Sequence, residues 1–186
     1  TALEERMTAA VQNGELEIPE VVIDLTPFGV NYQHVYNGAE FITAVWKNWA
    51  NEAQADVVGL LSCGAAATVA LQQIIGFNSK DYWLLYPVNG GIDDAPEEHP
   101  TPYVRNALNI AALRLISAAH NQLADEIQTR FESLRPAADD VEWYLTEEYV
   151  LARCPIGEMV KSAEIAAEVL LTHNMASLGN RSYKEL

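Results

Sequence analysis

From Val57 to Phe77 the chain carries no charged side chain. This run constrains the fold more than any other feature. A helix apolar nearly all round cannot be solvated and must be covered on more than one side. Ser62, Gly64, Thr68, Gln72 and Gln73 interrupt the run, which makes it too polar for a membrane span. The spacing predicts a buried helix over residues 57–75. Its small residues, Gly59, Ser62, Cys63, Gly64 and Ala65 to Ala67, suit close packing against a neighbour.

The rest of the chain has the material for one domain over residues 1–186. Of 186 residues, 49% are hydrophobic, enough for a sizeable core, and the 20% that are charged is too few for a disordered chain. The 26 acidic and 11 basic side chains leave a net charge of −15. That balance argues against nucleic acid and against anionic lipid, both of which call for clustered Lys and Arg. The expectation is therefore no nucleic acid and no membrane among the partners. Cys63 and Cys154 form no CxxC pair, and no secretory segment opens the sequence. Free thiols and a cytoplasmic chain are expected.

Local patterns predict alternating helices and strands. Leu3, Met7 and Val11 recur at helical spacing up to Asn13-Gly14. PEVVIDLT reads as a buried strand, followed by a loop with Pro27 and Gly29. Phe41, Ile42, Val45, Trp46 and Trp49 mark an amphipathic helix ahead of the apolar one. YWLLYPV reads as a second buried strand, ended by Asn89-Gly90-Gly91, and a polar loop runs on to Pro102. A long helix is predicted from Tyr103 to Phe131, a short strand near Phe131 to Leu134, and a helix from Val141 to Ala152. Ser162 is the predicted N-cap of a last helix over 163–173. Strands alternating with helices imply βαβ units and a parallel sheet.

The wording of the C-terminal third, PIGEMVKSAEIAAEVLLTHNMASLGN, resembles the short-chain dehydrogenase/reductase family. Pro155, Gly157, Glu164, Ile165, Ala166, Val169, Leu170, Ala176, Ser177 and Gly179 follow that family's order and spacing. YWLLYPVNGG is similar to the family's strand ending in Ser-Ser, and YVRNALNIAAL to its Tyr-x-x-x-Lys helix. The resemblance extends from PEVVIDLT to Gly179. It implies an α/β fold with a Rossmann-like parallel sheet of the short-chain dehydrogenase type. The N-terminal cofactor-binding half of that fold is truncated or missing: either the protein lacks it or this sequence is a piece of a longer one.

The same resemblance implies which positions the family's chemistry would use, and they are degenerate here. Tyr103 matches the general acid/base, but the Lys position is Ala107, the Ser position Val88 and the Asn position Leu61. Asn-Asn-Ala-Gly gives way to the Leu25-Thr26-Pro27 region, and no glycine-rich phosphate loop occurs. The chain is thus expected to be non-catalytic and to bind no cofactor itself. Its expected partner is an active paralogous subunit that holds NAD, in a hetero-oligomer. Family members pair through two long helices, here 57–75 and 103–128, which puts Gly59, Ser62, Ala66, Leu108, Ala112 and Leu115 at the interface. Two other readings stay open: a reductase whose N-terminal half lies outside this sequence, and a small-ligand module lined by Trp46, Trp49, Trp83 and Trp143.

Other constellations have plainer uses. His34, His99, His120 and His173 are scattered, with no metal-ligand spacing. Asp93, Asp94, Glu97 and Glu98 read as a solvated acidic loop, and Asp139, Asp140, Glu142, Glu147 and Glu148 as a second one. Ser62-Cys63-Gly64 has no base placed beside it and reads as a packing site.

Overall fold

The computed structural model describes residues 1–78, 85–87, 100–133, 139–146 and 149–185. It is a mixed α/β fold, mostly helical. Helix α1 (Ala2–Gln12) opens with a capping box in which Thr1 accepts from the Glu4 N–H and Glu4 reaches back to the Thr1 amine. Leu3, Met7 and Ala10 form its buried face. Strand β1 (Val21–Asp24) pairs antiparallel with β2 (Gln33–Tyr36), Val21 opposite Tyr36 and Asp24 opposite Gln33. PEVVIDLT therefore sits in a hairpin and not between parallel neighbours. The 3₁₀ turn Thr26–Phe28, closed by Gly29 at φ 77°, folds the chain straight back, and Val22 is left 50% exposed.

The two helices expected between 41 and 75 divide elsewhere. Helix α2 (Gly38–Cys63) takes in the first half of the uncharged run, and α3 (Ala65–Asn78) begins directly after Gly64. Gly64 has φ 62° and ψ −158°, a region only glycine occupies readily, so the helical path bends at this residue. At the other end, a Cβ on Gly38 would fall on the carbonyl oxygen of Ile18, so α2 starts where only glycine fits.

Strand β3 (Leu85–Pro87) pairs parallel with β4 (Asp140–Thr146), which pairs antiparallel with β5 (Tyr149–Pro155). The helix expected over 141–152 is thus a hairpin. Its sequence alternates with period two: Val141 and Trp143 are buried together with Cys154 and Ala152, while Glu142 and Arg153 pair across the other face. The single parallel pair falls short of the doubly wound sheet expected from the resemblance. Among the described residues there is one antiparallel hairpin and one mixed three-stranded sheet.

The expected helix from Tyr103 to Phe131 is two, α4 (Pro102–Ile116) and α5 (Asn121–Glu132). Ser117 breaks them with extended backbone and caps the next turn through its hydroxyl. Phe131 lies in the last turn of α5, where the sequence predicts the start of a short strand. Helix α6 (Ile156–Thr172) starts earlier than predicted. Ser162 lies inside it, fully buried, accepting from Trp46 Nε1 at 2.9 Å and donating to the Met159 carbonyl. It is a core hydrogen-bonding residue, not an N-cap.

Helix α4 sits at the centre, packed on α2, α3, α5 and α6. Trp46, Trp49 and Trp143 form the aromatic heart with Phe41. Trp46 meets Trp49 edge to face at 5.4 Å, and Trp143 meets Phe41 the same way at 5.1 Å. These three tryptophans are buried in the core; Trp83 lies outside the described residues.

Candidate functional site

Three places bring chemistry-bearing residues together. The first is a recess where α4, α5 and α6 meet, lined by Tyr103, Ala107, Arg114, Gln128, Glu132 and Glu164, among others. The structure brings two of the family-matched positions here. Tyr103 stacks on Phe131 at 4.8 Å and donates from its hydroxyl to Glu132 at 2.9 Å. Ala107 lies one turn along the same helix. The family's chemistry calls for an ammonium beside the phenol. Here the phenol's proton is shared with a carboxylate, the opposite charge. Arg114 is engaged with Asp125 and Gln128 at 2.6 and 2.7 Å. The recess holds about 30 Å³, against roughly 300 Å³ or more for a small-molecule pocket. It has room for a few water molecules.

The second is a part-buried ionic knot between α2 and α4. Arg105 donates to both carboxylate oxygens of Asp56, at 2.7 and 2.6 Å, and reaches Glu52 at 3.0 Å. Asn109 donates to Asp56 at 3.0 Å. The Asp56 side chain is only 6% exposed. Burial pulls the guanidinium's pKa down, but the hydrogen bond and charge of Asp56, with Glu52 behind it, hold it above its ordinary value. Every charge in the knot has an opposite neighbour, so it serves to fix α2 on α4 rather than to react.

The third lies outside, along the uncharged run. Val58 and Leu61 on α2 and Ile74 on α3 are exposed, Ile74 at 62%. Ser62, Ala66 and Ala70 are exposed between them. Their spacing places them along one outer side of the bent helical path. The interface expected from sequence divides in two. Ser62 and Ala66 lie on this stripe and Gly59 is half-covered beside it, but Leu108 and Ala112 are completely buried by the chain's own helices, and Leu115 packs against the same core. Leu61, matched to the family's Asn, is an exposed stripe residue. Val88, matched to its Ser, lies outside the described residues, as do Asp93, Asp94, Glu97, Glu98, His99, Glu147 and Glu148.

The remaining candidates are accounted for locally. Glu142 pairs with Arg153 at 2.8 Å across β4 and β5. Cys154 is buried, and burial pushes its thiol up to about 12, so it is no nucleophile at neutral pH. Cys63 is exposed on α2. No cluster of metal-ligating side chains occurs among the described residues, and none of their helices is long and apolar enough to cross a membrane. Sequence reasoning missed the β1–β2 hairpin, whose Val22 and Val35 face solvent together. The signal was there: Gln33, Val35 and Asn37 alternate with Tyr32, His34 and Tyr36. No family model, curated protein or solved structure matches the chain.

Proposed function

We propose that this chain is a non-catalytic subunit that holds a partner protein against the uncharged stripe of α2 and α3. The exposure of Val58, Leu61 and Ile74 on a run with no charged residue carries the reading. Apolar side chains aligned on one helical side of an otherwise acidic chain mark a surface for another protein. The recess at Tyr103 supports the non-catalytic half of the reading, because Tyr103 is paired with Glu132 and Arg114 with Gln128, and little space is left.

The narrower form makes the partner an active, NAD-holding member of the short-chain dehydrogenase/reductase family and this chain its degenerate companion. The heterotetrameric 2-[hydroxy(phenyl)methyl]succinyl-CoA dehydrogenase of anaerobic toluene degradation is the arrangement it resembles. Residue order from Pro155 to Gly179 supports it. The sheet topology does not add to it, having one parallel pair among the described residues where that family has a continuous parallel sheet.

The test is native mass spectrometry on the complex isolated with this chain from its source. A dehydrogenase-like subunit bound to wild type and lost from Ala66→Asp is the expected result. A partner of another kind, still released by Ala66→Asp, ends the narrower form and keeps the wider one. A complex that Ala66→Asp leaves intact ends both. Calorimetry on the chain alone should show no NAD binding.

A further inference from the structure

The β1–β2 hairpin is a two-stranded sheet of its own. β1 packs beside β5, and among the described residues β2 is hydrogen-bonded to β1 alone. One bond fixes which way each residue's backbone faces. The Leu25 N–H donates to the Tyr32 carbonyl at 3.0 Å, so that pair is hydrogen-bonded. Bonded and non-bonded pairs alternate along an antiparallel ladder. His34 and Tyr36 therefore turn their polar groups toward β1. Gln33 and Val35 turn theirs outward, leaving two N–H and two C=O groups that no described strand pairs.

Exposed edges are normally blunted by charge, proline or a bulge. This one has none of the three. Residues 25–39 include no Asp, Glu, Lys or Arg, and the ladder is regular. Val22 and Val35, direct cross-strand partners, are 50% and 51% exposed on its outer face.

We infer that β2 is the seam of a homodimer, pairing antiparallel with β2 of a second copy about a two-fold axis at His34. Two features select a second copy and this register. With the axis at His34, Gln33 of each chain meets Val35 of the other, and all four free backbone groups of each edge are used. An axis at Val35 would oppose Gln33 to Asn37, whose N–H already donates to Glu40 at 3.1 Å. Charge selects the place: two chains of net charge −15 repel over most of their surfaces and can approach at this neutral edge. The chosen register also sets Tyr32 against the second copy's Tyr36, continuing the row of rings in which His34 meets Tyr36 at 4.2 Å.

Light scattering on the full chain at high micromolar concentration, together with two variants, tests this. Wild type should have twice the chain mass. Val35→Pro removes an outward N–H that β1 does not use, so it should be monomeric with an unchanged circular dichroism spectrum. His34→Cys, made with Cys63→Ser, should oxidise to a covalent dimer, because twin residues at the axis lie about 4.5 Å apart, within disulfide reach. Val35→Cys in the same background should not. If Val35→Pro fails to fold, the cysteine pair decides. A monomeric wild type, a dimer that Val35→Pro leaves intact, or crosslinking through residue 35 alone overturns the inference. A dimer dissolved by Ala66→Asp and kept by Val35→Pro would move the seam to the helical stripe.

Discussion

Helices α3 and α4 look alike as sequences and live differently in the fold. Both are rich in alanine and aliphatic residues, and both qualify as interface helices by composition. α4 is enclosed by its own chain. Arg105 and Asn109 donate inward to Asp56 and Asn106 Nδ2 to the Pro102 carbonyl, while Asn106 Oδ1 is buried with no hydrogen-bond partner among the described residues. α3 lies at the edge of the bundle, rests one side on α2 and α4, and turns Ala66, Ala70 and Ile74 to solvent. Apolarity says that a helix will be covered. It does not say whether the same chain or another will cover it.

The largest expected effect separates the two helices directly. Ala112→Glu places a carboxylate in a fully buried site with no counter-charge, and should cost at least about 4 kcal/mol, enough to leave the chain unfolded or insoluble. Ala66→Asp on the outer side of α3 should shift the stability of the isolated chain by no more than about 0.5 kcal/mol. Thermal melts followed by circular dichroism make the comparison. Equal losses would mean that α3 is enclosed as α4 is.

Next comes the joint that holds α2 on α4. Asp56→Ala leaves Arg105 largely buried with only Glu52 to face. The Arg105 side chain retains 18% exposure, so the loss should fall at the low end for a broken buried pair, about 3 kcal/mol, in a urea titration. Asp56→Asn keeps an acceptor for the guanidinium and should lose less. An Ala variant as stable as wild type would mean that the knot does not fix the central helix.

A smaller effect is expected at the bend. Gly64→Ala forces an L side chain into a glycine backbone region and should destabilise by about 1–3 kcal/mol. No neighbouring atom lies within reach of the added methyl, so the effect should come from the backbone alone. Gly59→Ala, in regular helix with the same open space, should be neutral or slightly stabilising. Matched melts of the two variants check it.

The last test reads exposure by chemistry and should leave stability unchanged. At pH 8 a thiol reagent should label Cys63 alone in the native chain and both cysteines in denaturant. Burial raises the Cys154 thiol to about 12 in the fold. Its contribution to stability is therefore present in full below the unfolded value near 8.5 and is lost only as pH rises from there toward 12. Fast labelling of two thiols in the native state would show β5 opening. Protection of Cys63 on adding a partner would extend the docking surface to the end of α2.

Much of this was legible in the residues. Helical periodicity located α1, the first half of α2, and α4 with its broad apolar face, because each pattern is local and repeats over several turns. The β4–β5 segment was misread because Val141, Tyr144 and Leu145 fit a helical spacing while Val141 and Trp143 fit an alternating one. Only the pairing of Glu142 with Arg153 across two strands decides between the two. The break at Ser117 was hidden inside an uninterrupted apolar pattern, and Ser162 has the composition of a cap while its hydroxyl serves the core. The Tyr103 position was found by resemblance, but its hydrogen bond to Glu132, 29 residues away in sequence, is not written in any local spacing.

The sequence alone determined that the uncharged run over residues 57–75 is helical over most of its length and that the chain carries a strong negative charge. These follow from composition and near-neighbour spacing, which the backbone enforces over a few residues at a time. Tertiary structure alone decided which apolar helix the chain covers itself, which way β1 turns, and which backbone groups of β2 stay free. Those outcomes depend on distant residues meeting, Asp56 with Arg105, Trp46 with Ser162, Val22 with Val35. Such meetings are chosen by the packing of the whole chain and not by any one segment.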